Sequence, residues 1–209
     1  MKFLLAISML CLGITSSAQD VSLALQKNKL PASDAIDQAW NNIPDGLSLS
    51  FANSNVRFMQ EVPPGISIQK EWNTIAWKGE KVHTQLLLWT NKNLADISVE
   101  ISDLKDAKGN VIKKENVTTG LVKYVITDEF RNGCGYRKAA DFDSSYVADL
   151  IDTKAKATAI VAKKTLPVWL SIKVPANAKA GNYSGTVKIK GDKEYSLAIK
   201  INVIDKTLP

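Results

Sequence analysis

The chain predicts a mainly β protein, an antiparallel β-sandwich of immunoglobulin-like or jelly-roll-like character with one short helix near its start. Three observations carry this prediction. Between Leu166 and Val203, apolar side chains take every second position in three runs: Val168, Leu170, Ile172 and Val174; Tyr183, Val187 and Ile189; Tyr195, Leu197, Ile199, Ile201 and Val203. That is the period of a strand with one buried face. Turn signals separate the runs, since Pro175 stops the first, Gly181-Asn182 prepares the second, and Gly191-Asp192-Lys193 is short enough to fold the last two into a hairpin. The same unit of strand, turn and strand recurs upstream, to about nine strands in all, with few helical signals between them.

Residues 1–18 are set aside as a signal peptide. Lys2 precedes the apolar run FLLAISMLCLGI, and Ser16-Ser17-Ala18 offers a cleavage site. The run is shorter than the roughly 20 residues that span a bilayer, so it predicts export to the periplasm or the exterior, with cleavage near Ala18 and no membrane span. Leu10 stands where a lipoprotein signal wants a small residue before Cys11, which argues against lipidation. Residues 19–46 read as an extension. In it, Ile36, Ala39 and Trp40 are spaced for a short helix capped by Ser33 or Asp34, with Trp40 pinning the helix to the sandwich.

Residues 47–204 read as the sandwich itself. Leu47, Leu49 and Phe51 alternate as its first strand, and VRFMQEV, residues 56–62, reads as a second before Pro63-Pro64-Gly65 breaks the chain. Lys78-Gly79-Glu80 is a turn before a long strand, Ile97, Val99 and Ile101 mark the next, and Asp106 to Asn110 form a tight polar turn. GLVKYVITDEF continues the pattern and Ala155 to Ala162 resumes it. Between those two lies the least regular stretch, Arg131 to Asp152. Loops beyond about 12–15 residues without secondary structure of their own are functional, docked or disordered. Its aromatics and Cys134 favour an ordered loop packed on the sandwich or on a partner domain, with Arg131, Cys134, Tyr136 and Asp141 as candidate docking residues. Residues 205–209 read as the start of a linker.

Composition excludes several functions. Removal of the signal takes Lys2 from the 27 basic residues, leaving 26 against 21 acidic ones and a net charge of +5. The lysines are scattered along strands and turns, as Lys188, Lys190, Lys193 and Lys200 are, so solvated strand faces explain them better than a nucleic-acid surface. Cleavage also removes Cys11, leaving Cys134 without a disulfide partner, so the apolar core must hold the fold. His83 is the only histidine, which rules out a multi-histidine metal site. Asp141, Asp143, Asp149 and Asp152 lack the glycine and glutamate of an EF-hand loop, so turn capping or ion pairing is favoured over metal binding. No cofactor or metal is expected. Trp72 and Trp77, read as flanking a turn, are the candidate sugar-stacking aromatics; Trp89 and Trp169, inside strands, read as core or domain-interface residues.

Pro167-x-Trp169 followed by VPANAKAGNYSGTVKI, together with IPDGLSLSFA, AWKGEKVHTQ and the NGCGY loop, resembles the amino-terminal β-sandwich domain of glycoside hydrolase family 123, the β-N-acetylgalactosaminidases. The likeness runs from about Trp40 to Pro209. In such proteins a catalytic barrel follows directly, and the resemblance implies a substrate-assisted mechanism carried by an adjacent Asp-Glu pair in that barrel. Asp128-Glu129 ends a sandwich strand instead, so that role does not carry over. The expectation is therefore a non-catalytic accessory sandwich, inactive alone, supporting a (β/α)8 barrel in cis or on a split chain. The alternatives are a free-standing carbohydrate-binding module, with a glycan as partner, and a structural or adhesive surface domain.

Overall fold

The computed structural model describes residues 33–127, 145–155 and 157–209. Among them are one α-helix, α1 (Ser33–Asn41), one 3-10 turn (Lys114–Asn116) and twelve strands. The strands are β1 (Leu47–Ala52), β2 (Glu71–Lys78), β3 (Lys81–Thr90), β4 (Leu94–Ile101), β5 (Leu104–Lys105), β6 (Val111–Ile112), β7 (Val117–Thr127), β8 (Ser145–Asp152), β9 (Ala157–Ile160), β10 (Lys164–Lys173), β11 (Gly181–Lys190) and β12 (Glu194–Thr207). The signal peptide lies outside the described residues, as do Arg131, Cys134, Tyr136, Asp141 and the Asp128-Glu129 pair. No helix among the described residues is long and apolar enough to cross a membrane.

The strands form two packed sheets. One has five strands in the order β1-β3-β10-β7-β8; the other has seven, in the order β2-β12-β11-β4-β9, with the short β5 and β6 beside β11. The alternation read from the sequence is the alternation of the core. Val168, Leu170 and Ile172 of β10, with Leu86 and Leu88 of β3, face Tyr183, Val187 and Ile189 of β11 and Leu197, Ile199 and Ile201 of β12. Each such side chain contributes about 1.5–3 kcal/mol when fully buried. The β11–β12 hairpin closes as the spacing requires, with Lys190 opposite Glu194 and the Gly191 N–H donating to the Lys193 carbonyl at 3.0 Å.

A second, smaller core lies on the outside of the five-stranded sheet. There Leu87 and Trp89, the odd-numbered partners of the core residues in β3, meet Trp40 of α1, with Ile36, Ile43, Phe58 and Ile66 around them. The Asp34 carboxylate accepts the Ala35 N–H at 3.0 Å in the first turn of α1. Trp40 does pin the helix, and its indole N–H donates to the Glu61 carbonyl at 2.7 Å.

Three expectations need correction. Residues 56–62 are not a strand: their carbonyls serve side chains of the sheet beneath them. Gln85 donates to the Val56 carbonyl (2.7 Å), Tyr124 to Phe58 (2.9 Å) and Thr165 to Val62 (2.9 Å), so the segment lies across the sheet as a strap. The stretch 131–152 is not irregular to its end, because Ser145–Asp152 forms β8, the edge strand beside β7. A register shift between Lys123 and Tyr124 brings Val147 and Ala148 inside together, which breaks the two-residue period that would have announced it. The pairing is also not antiparallel throughout, since β2 runs parallel to β12 while every other neighbour is antiparallel. The turn after β2 therefore crosses from one sheet to the other instead of closing a hairpin. Gly79 makes that crossing at φ +83°, a left-handed conformation that other residues adopt only with strain.

Candidate functional site

Trp72 and Trp77 both lie within β2, with no turn between them. Five residues apart on one strand, they point to opposite faces. Trp72 faces inward, its ring 6.5 Å from that of Phe51 and packed on the main core. Trp77 faces outward and is 41% exposed. The two cannot form one platform, and Trp72 is removed from the candidate sugar-stacking residues.

The outer face that carries Trp77 is defined by register. Across β2, β12 and, where it continues, β11, one row is Trp77 and Ile204; the next is Ile75, Asn202 and Asn182; the third is Asn73, Lys200 and Ser184. Rows on one face are about 6.6 Å apart and strands about 4.8 Å apart. The last two rows line a shallow groove of about 560 Å³. Ile75 is 63% exposed, so the apolar side of this surface is open to solvent.

Charge within the groove cancels. The Glu71 carboxylate receives Lys200 at 2.6 Å and the Asn73 amide at 2.7 Å. Those hydrogen bonds, Lys200 first and Asn73 second, hold its carboxyl below the usual range. Asn182 and Asn202, directly opposite one another, have no side-chain hydrogen bond to any described residue. Beside Trp77 the chain reaches its last residues. The Leu208 N–H donates to the Lys78 carbonyl at 2.8 Å, the Lys78 ammonium meets Asp205, and the half-exposed Leu208 sits against the Gly79 turn. The Lys78 ammonium, by hydrogen bond and charge, holds the Asp205 carboxyl low. The strand thus continues to Thr207, past the residue 205 at which a linker was expected.

Other candidates are absorbed by the fold. His83 stacks on Trp169 with ring centroids 4.9 Å apart, and the Trp169 indole donates to Ser171 at 2.9 Å, on the outside of the five-stranded sheet. Asp149 pairs with Arg57 at 3.5 Å. Asp152 pairs with Lys123 at 2.6 Å and accepts the Lys154 N–H, so both serve β8 and its turn. Among the described residues, no three His, Cys, Asp or Glu side chains converge as a metal site would require.

Sequence reasoning placed Trp77 but missed Ile75, Asn73, Asn182, Asn202 and Lys200 as its neighbours. The parity of Asn182, Ser184, Lys200 and Asn202 was there to read. The parallel docking of β2 against β12, which completes the surface, leaves no local signal.

Residues 51–191 match the glycoside hydrolase 123 N-terminal domain. This chain belongs to that family. The family 123 domain is similar in structure to a family 123 glycoside hydrolase from Clostridium perfringens, with a TM-score of 0.68 and 21% identity over 78% of this chain and 28% of that one. It therefore spans little more than a quarter of that enzyme's length, and the likeness is one of fold. Two further solved structures are more distant. Spo0M, the sporulation control protein from Bacillus subtilis, gives a TM-score of 0.31 at 8% identity, covering 77% of this chain and 50% of that one. CfaE, the adhesive subunit of the CFA/I fimbria of enterotoxigenic Escherichia coli, gives 0.31 at 13%, covering 64% and 46%. No curated protein matches this chain in sequence.

Proposed function

We propose that this chain is the non-catalytic sandwich of an exported glycoside hydrolase and that it buttresses a catalytic barrel, in cis or on a separate chain. The observation that carries the reading is the open apolar strip at the end of β12. Ile75, Trp77 and Leu208 are all at least two-fifths exposed; Ile75 and Trp77 share the outer face of β2, and Leu208 follows the end of β12 at the Gly79 turn. Single exposed apolar residues are ordinary, but two on one strand face with a third near the carboxyl end are the kind of surface an inter-domain contact would use. The barrel's own activity, expected from the family to be β-N-acetylgalactosaminide hydrolysis, belongs to that other part.

The test begins with the DNA beyond codon 209, read for an in-frame or adjacent frame encoding a barrel with an Asp-Glu pair. If one is found, the purified barrel and this chain should associate, and Trp77→Asp should weaken the association while the fold persists. Hydrolysis of a β-N-acetylgalactosaminide by the 209-residue chain alone would overturn the non-catalytic reading. The absence of any such frame would overturn the buttressing one.

A further inference from the structure

We infer that the groove between β2, β12 and β11 binds a neutral oligosaccharide. Its side chains suit that class. Asn182 and Asn202 each present an amide with both donors and acceptor, Asn73 keeps its carbonyl and one N–H beyond its bond to Glu71, and Ser184 adds a hydroxyl, which together match the alternating donors and acceptors of sugar hydroxyls. Trp77 does not line the groove but lies one row beyond Ile75 on the same face of β2, where its exposed indole offers a surface on which the C–H side of a pyranose can lie. A cell of the surface grid, about 6.6 by 4.8 Å, is the size of one sugar ring. The groove's volume of about 560 Å³ holds a disaccharide.

The alternative explanations fit less well. Solvated strand faces are ordinarily Thr, Lys and Glu, and asparagine is depleted in strands. Here three asparagines on three neighbouring strands converge on one groove, and two of them have no hydrogen-bond partner among the described residues. An anionic ligand is disfavoured, because the Lys200 charge is already taken up by Glu71 at 2.6 Å. The inference stands without the buttressing reading. Trp77 is common to both, whereas Asn182 and Asn202 belong to the groove alone.

The experiment is titration of the purified chain with N,N′-diacetylchitobiose, lactose and maltose, followed by tryptophan fluorescence and calorimetry. At least one disaccharide should bind saturably with a Kd on the order of 1 mM or tighter. Asn202→Ala, Asn182→Ala and Trp77→Ala should each weaken binding by about tenfold, equivalent to about 1.4 kcal/mol. His83→Ala, on the opposite sheet, should leave it unchanged. Preference for diacetylchitobiose would assign acetamido recognition; equal binding of all three would assign hydroxyls alone. No saturable binding of any probe at concentrations on the order of 10 mM, or binding that survives Asn182→Ala combined with Asn202→Ala, would overturn the inference. That result would leave a barrel–sandwich association intact, so the two proposals fail separately.

Discussion

The two outer faces of this sandwich are treated in opposite ways by the same chain. On the five-stranded sheet, α1, the strap of residues 56–62 and the neighbouring Ile43 and Ile66 pack on Leu87 and Trp89 and make a second core. On the seven-stranded sheet, Ile75 and Trp77 are exposed, near Asn182 and Asn202, whose side chains have no hydrogen-bond partner among the described residues. A sandwich needs only its inner faces to fold. The two faces thus differ in how much of their apolar surface the described residues cover.

The sharpest way to break the comparison is to remove the peg of the covered face. Trp40→Ala deletes a side chain that is 1% exposed, together with its hydrogen bond to Glu61, and should destabilise by about 3–5 kcal/mol in urea unfolding. Limited proteolysis should then cut first in the strap. Tyr124→Phe probes the same lid more gently, leaving the Phe58 carbonyl without its donor at a cost of about 1 kcal/mol.

At the seam between the faces, Tyr195 donates to Asp192 at 2.9 Å, and Asp192 also accepts the Leu47 N–H at the start of β1. Burial first, and that hydrogen bond second, push the Tyr195 phenol up to about 12 from an ordinary 10.0. A raised folded pKa means that its stabilising contribution is complete below pH 10 and is lost as pH climbs towards 12. Urea midpoints measured from pH 9 to 12 should fall in that window, and less steeply in Tyr195→Phe. The smallest effect belongs to the open face: Trp77→Ala should move stability by no more than about 0.5 kcal/mol. A larger loss would mean that Trp77 supports the sheet, and the contrast between the faces would collapse.

Legibility in the sequence followed the range of the interactions. The β11–β12 hairpin was readable because its signals are local: alternating Tyr183, Val187 and Ile189, a three-residue turn, then Tyr195 to Val203. Trp40 was readable as a peg because a tryptophan on so short a helix has nowhere else to go. The strap at residues 56–62 carries a strand-like pattern, yet its carbonyls are claimed by Gln85, Tyr124 and Thr165 from 29 to 103 positions away, and nothing local records that. β8 was hidden by a bulge, and the groove by a parallel pairing of segments more than a hundred residues apart. Local periodicity thus found the core, while the candidate surface was assembled by pairings it does not encode.

The 14-residue β12 lies between antiparallel β11 and parallel β2, and its far end is fastened at the Gly79 turn. Tension on the carboxyl end would run along the axis of that strand, so the ladder on both sides would be loaded in shear, its bonds sharing the force instead of opening one after another. A pull applied at Pro209 would therefore meet the paired ladders of β12 lengthwise.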